Sequence, residues 1–118
     1  MKTQNQIFGD LGEAFAMQFL KKKNYKLLDC NYKCKDGEID IIARKNGVYV
    51  FVEVKTRSTD FMLPQEAVNV DKENNIFETA KHFMRSYALK NVNYRFDIIE
   101  ILGTCPEDFV VNHLENAF

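Results

Sequence analysis

Long apolar runs are missing from this chain. No stretch approaches the roughly 18 apolar residues of a membrane-spanning helix, and the opening Met1 to Gln6 lacks the apolar stretch of a secretory signal. A soluble, cytoplasmic protein with no membrane partner is the expectation. Proline and glycine are sparse, at 2 and 5 residues, and occur singly, so no interdomain linker is visible; nor is any internal repeat. With 118 residues and 46% hydrophobic content, the chain is expected to form one domain over residues 1–118. Cysteine is limited to Cys30, Cys34 and Cys105, an odd number at irregular spacing, which argues against a disulfide framework and fits a reducing compartment. A zinc site from these three with His113 would lack the usual ligand spacing, so small buried hydrophobes are the preferred reading. A large excess of positive charge is also absent. The net charge of −1 combines +3 over residues 1–60 (11 Lys+Arg, 8 Asp+Glu) with −4 over residues 61–118 (5 against 9), so any nucleic-acid surface is expected mainly on the N-terminal half.

What the sequence does contain is a succession of short periodic elements. From Asp10 to about Lys23, Leu11, Ala14, Phe15, Phe19 and Leu20 recur at helical spacing, with Glu13 in the first turn and lysines at the end. Tyr25 to Asn31 reads as a short strand. Glu38 to Arg44 and Val48 to Lys55, rich in Ile and Val, read as stronger strands. Asp71 to about Leu89 repeats apolar residues (Ile76, Phe77, Ala80, Phe83, Met84, Tyr87, Ala88) along one helical face, with Asp71 as N-cap. Tyr94 to Leu102 and Phe109 to Leu114 complete the order α-β-β-β-α-β plus a terminal β. A helix between the third and fourth strands lets them run parallel, which predicts an α/β fold with a mixed central sheet flanked by helices.

Asn46-Gly47 between the second and third strands is a strong signal for a two-residue type I′ hairpin turn, because both central residues need positive φ. That turn pairs Lys45 with Val48 and, counting outward, places Asp40 opposite Glu53 and Glu38 opposite Lys55. Ile39, Ile41 and Ala43 then share a uniformly apolar face with Val48, Val50, Val52 and Val54. Two opposed carboxylates repel unless a cation lies between them. Two carboxylates and a strand carbonyl offer hard oxygen ligands suited to Mg²⁺ or Mn²⁺. Lys55 shares the face of Glu53 and is placed to steady charge developing during phosphodiester hydrolysis. The same residues also make a plausible salt-bridge ladder, with Lys55 satisfied by Glu38 or Glu53, and geometry alone leaves the two readings about even.

Taken together, Gly12-Glu13, Gly37-Glu38-Ile39-Asp40, Val52-Glu53-Val54-Lys55-Thr56-Arg57, Pro64-Gln65-Glu66-Ala67-Val68, Arg95-Phe96-Asp97 and Glu115-Asn116-Ala117-Phe118 resemble the YraN family of small uncharacterised bacterial proteins over almost the whole chain. That family is similar in its core to archaeal Holliday-junction resolvases and to the restriction-endonuclease-like superfamily, marked by an Asp, a spacer and Glu-x-Lys. The resemblance implies a restriction-endonuclease-like core acting on DNA, especially branched or structured DNA. It implies Asp40, Glu53 and the Val54 carbonyl as ligands of Mg²⁺ or Mn²⁺, Lys55 as assistant to the attacking water, and Glu13 contributing from the first helix. Arg57 and Lys72 are the candidate DNA contacts, Gln65 and Glu66 candidate auxiliary residues, and a homodimer is suggested by analogy. Two positions depart from the pattern. Ile39 replaces a proline that supplies no ligand, and Asp71-Lys72-Glu73-Asn74-Asn75 stands where relatives carry a basic run.

Overall fold

The computed structural model describes residues 1–59 and 70–118, with the backbone alone for 70–74. Pro64, Gln65 and Glu66, and the side chains of Asp71 and Lys72, lie outside the described residues. The elements are α1 (Gln4–Lys22), β1 (Lys26–Cys34), β2 (Gly37–Lys45), β3 (Val48–Ser58), α2 (Val70–Ser86), β4 (Asn93–Gly103), a short 3₁₀ turn Pro106–Asp108 and β5 (Val110–Leu114). The five strands lie in sequence order, antiparallel throughout except for the parallel pair β3–β4 that α2 connects. This is the expected order, a mixed sheet between two helices as in a restriction-endonuclease-like core. No described helix is long and apolar enough to cross a membrane.

α1 starts well before the expected Asp10. A capping box fixes its first turn: Gln6 N–H donates to Thr3 Oγ1 at 3.1 Å and Thr3 N–H to Gln6 Oε1 at 2.8 Å. Those residues are polar and fall outside the apolar stripe, so hydrophobic periodicity could not reveal them. The inner face is Gly12, Ala16 and Leu20, all buried, whereas Leu11 is 40% exposed and Glu13 sits mid-helix rather than in the first turn. Gly12 is required by close packing, since a Cβ there would overlap the side chain of Thr56 on β3. That approach brings Glu13 down to the sheet.

Alternation along the strands feeds two cores. Ile41, Ala43, Val50, Val52, Ile99 and Ile101 pack with Ala16 and Leu20 of α1; Ile42, Phe51 and Phe96 pack with Ile76, Ala80 and Phe83 of α2. Ile39, expected on the face of Ile41 and Ala43, instead joins the α2 side with Tyr32. Both β1 and β2 therefore change facing near Asn31, which holds a left-handed φ of 53° beside this crossover, so simple alternation does not carry past Ile41.

α2 stops at Ser86, short of the expected Leu89. Ala88 adopts φ 52°, and Leu89 N–H returns to the Met84 carbonyl at 2.8 Å, which closes the helix and leaves Tyr87 61% exposed. The three cysteines are free thiols, but Cys30 is exposed and Cys34 and Cys105 are only partly buried, so they are not the core hydrophobes expected. Cys30 lies on the edge strand β1, where one face is open to solvent.

Candidate functional site

The hairpin follows its turn chemistry. Asn46 and Gly47 carry φ of 51° and 78°, and the register runs Lys45↔Val48, Arg44↔Tyr49, Ala43↔Val50, Ile42↔Phe51 and Ile41↔Val52. The ladder ends there, one step short of the expected Asp40–Glu53 pair. Beyond it β2 and β3 part, and the Asp40 carboxylate fills the opening: Oδ2 accepts a hydrogen bond from the Val54 amide at 2.8 Å.

Glu13 of α1 converges on this opening. Burial, then the negative charges of Asp40, Asp10 and Glu38, push its carboxyl up to about 7, with Lys2 opposing. Asn31, with its amide turned to donate, bridges Glu13 Oε1 at 3.0 Å and Glu38 Oε1 at 3.2 Å. Asn31 is a site residue that the sequence reading missed. Its signal was a polar residue inside a strand, of the type that best tolerates a left-handed backbone.

Glu53 and Lys55 extend from the face of β3 that carries Phe51. Lys55 Nζ lies 3.8 Å from Glu53 Oε1, and each side chain is only 10% exposed. The Lys55 ammonium makes no hydrogen bond among the described residues. It is thus paired with Glu53 rather than with Glu38 as the extended register would have it. Arg57, one alternation further, sits 3.9 Å from Glu100 of β4, and the Lys72 side chain is outside the described residues. The arrangement gathers Glu13, Glu38 and Asp40 around the opening and places Glu53 with Lys55. Val54, between those two in sequence, joins the groups through its amide. Among the described residues no three His, Cys, Asp or Glu side chains form a ready-made metal cage, the zinc combination of Cys30, Cys34, Cys105 and His113 included.

His113 is committed elsewhere, in a second carboxylate centre. Fully buried Asp97 on β4 is bonded to His113 Nε2 at 2.7 Å, accepts from Arg95 Nε at 3.1 Å and from the Asn116 amide at 3.1 Å, and Arg95 also donates to the Tyr25 hydroxyl at 2.6 Å.

A family model described as uncharacterised protein family UPF0102 matches residues 12–101. The chain belongs to this family. A UPF0102 protein of Clostridium beijerinckii is 41% identical over 120 residues, covering 100% of this chain and 98% of the relative. One of Caldanaerobacter subterraneus is 46% identical over 121 residues (99% and 98%), and one of Alkaliphilus oremlandii 44% over 117 residues (97% and 99%). The family assignment expected from the motifs therefore holds along the whole chain. The matched segment includes every residue of the candidate site, from Glu13 to Arg57.

Proposed function

We propose that this protein is a metal-dependent endonuclease that hydrolyses phosphodiester bonds of DNA, with branched or otherwise structured DNA as substrate. The observation that carries the reading is the opening between β2 and β3, where Asp40 is held on the amide of Val54, the residue that separates Glu53 from Lys55 along β3. The donors there fit a hard divalent cation: they are carboxylate and carbonyl oxygens, and a cation would offset what lifts the Glu13 carboxyl, burial first and then the negative charges of Asp40, Asp10 and Glu38. Mg²⁺ or Mn²⁺ would be held by Asp40, Glu53 and the Val54 carbonyl, with Glu13 contributing. Bound there, it would polarise the scissile phosphate.

The remaining roles fall to the chain's own groups. The Lys55 ammonium, shielded from solvent, offsets negative charge developing on the phosphate oxygens and steadies the attacking water. Glu13 adds its carboxylate to the same donor set from α1, where a bound cation would offset the burial and neighbouring negative charge that raise its pKa. Asn31 orients that carboxylate through its amide. A homodimer would let two such sites cut two strands.

The test is cleavage of branched, single-stranded and duplex DNA with Mg²⁺ or Mn²⁺. Asp40→Ala and Lys55→Ala are each expected to lower the rate at least about 100-fold. Absence of cleavage on every substrate with both metals would sink the reading. A second reading, a catalytically inactive nucleic-acid-binding or adaptor module retaining the nuclease fold, is favoured by the pairing of Arg57 with Glu100 and of Lys55 with Glu53, which leaves these cations already matched. It predicts DNA or protein binding that Asp40→Ala leaves unchanged, with no cleavage.

A further inference from the structure

At the opposite end of α2 from the first-turn Lys72, a groove of about 320 Å³ is lined by Lys81, Met84, Arg85, Leu89, Val92 and Tyr94. Its shape follows from the early end of α2: Ala88 turns the chain back, and the following segment leads into β4 with Tyr94 51% exposed. Tyr94 is adjacent to Tyr49 in the parallel β3–β4 ladder, and Tyr49 carries the Arg44 guanidinium over its ring at 5.4 Å. Tyr87, 61% exposed, lies beside the same helix end with its ring tilted 43° to that of Phe83 at 4.8 Å. Lys81, Arg85 and Lys90 are exposed at this end of the molecule, and among the described residues the acidic group paired with them is Glu78, 3.3 Å from Lys81. Among the described residues, no acidic side chain lines the groove itself. The chain as a whole is slightly acidic, so a local concentration of cations among exposed tyrosine rings is a departure from its average.

We propose that this groove binds single-stranded nucleic acid, with Tyr94 as a stacking platform for a base and Arg85, Lys81 and Arg44 as phosphate contacts. Exposed aromatic rings interleaved with cations match the chemistry of an unpaired strand, whose bases offer π-faces and whose backbone offers negative charge at every step. A duplex hides its bases and would use only the cations. The inference deepens the nuclease reading and rests on it for the choice of DNA as the nucleic acid. It supplies the substrate class: structured DNA with an unpaired arm, held away from the opening that contains Asp40. It also moves the main nucleic-acid surface from the N-terminal half, where charge along the sequence placed it, to a surface built largely from residues 81–94.

Fluorescence anisotropy of the full chain with a labelled single strand of about 15 nucleotides, in EDTA so that cleavage plays no part, tests the groove. Tyr94→Ala is expected to weaken binding roughly 5- to 100-fold, while Tyr94→Phe, which keeps the ring, binds as the unaltered chain does. Arg85→Ala is expected to lower the slope of log affinity against log salt by about 0.7. Since Tyr94 is half exposed, its truncation leaves the core standing, and circular dichroism of each variant checks this. Equal binding by Tyr94→Ala and the unaltered chain, or tighter binding of a blunt duplex than of the single strand, overturns the proposal. The two readings fail separately. Cleavage that survives without a Tyr94 effect removes the groove alone, and strand binding that depends on Tyr94 without any metal-dependent cleavage removes the nuclease alone.

Discussion

Two carboxylate centres in this molecule are built in opposite ways. Asp97 is fully buried, yet Arg95, His113 and the Asn116 amide surround it with donors, and together these hold its carboxyl below the usual range despite burial acting in the other direction. Glu13 is less buried, but burial followed by the negative charges of Asp40, Asp10 and Glu38 pushes its carboxyl up to about 7, and few donors among the described residues answer it. One centre is satisfied by the protein itself; the other has been assembled with its charges in conflict. Satisfied buried ions hold a fold together, whereas a carboxyl raised by burial and by the carboxylates around it is held at a cost in stability that a ligand can offset. The comparison separates a structural network from a candidate active site without reference to any relative.

The largest expected effect breaks the satisfied centre. Asp97→Ala leaves the Arg95 and His113 side chains without their buried partner and should cost roughly 3–5 kcal/mol in urea unfolding. A loss under about 1 kcal/mol would mean that the network is not holding β4, β5 and the C-terminal residues together. Next, Gly12→Ala should cost on the order of 2 kcal/mol, because the added methyl group must displace Thr56. It should also lift Glu13 away from Asp40, bringing the Glu13 carboxyl back toward its ordinary value, which NMR titration of that carboxyl would show.

Acid then distinguishes the two centres by sign. Glu13 has a folded pKa above its unfolded value, so the folded state retains a proton that the unfolded chain releases. Its contribution to stability falls as pH rises from about 4.5 to about 7. Asp97 does the reverse: its depressed pKa contributes stability above the ordinary aspartate value, and this is lost as pH falls through the folded pKa. Glu13→Gln should therefore flatten the stability profile between about pH 5 and 7 and raise stability at pH 8 by on the order of 1 kcal/mol. A profile unchanged by that substitution would place Glu13 in ordinary solvent.

Much of the site was legible because hairpin chemistry is local. Asn46-Gly47 fixed the turn, and the turn fixed five consecutive strand pairs. The register lost its predictive power at Asp40, because β1 and β2 change facing together at Asn31, and a coordinated change in two strands leaves no periodic signature in either. The start of α1 was hidden for a related reason: its cap is polar and lies ahead of the apolar stripe. The Asp97 network was also out of reach. Arg95 and Asp97 are close in sequence, but His113 and Asn116 reach them only through the pairing of β5 with β4. Gly12 was quoted for its motif, and its reason appeared only once Thr56 was found against it.

If the opening between β2 and β3 is a divalent-metal site, Mn²⁺ should occupy it. Crystals soaked in Mn²⁺ and examined by anomalous scattering test it most directly. A peak is expected about 2.1 Å from an Asp40 carboxylate oxygen and the Val54 carbonyl, with Glu53 as a further ligand. A map with no peak at that opening under saturating Mn²⁺, and with Lys55 still paired to Glu53, would contradict it.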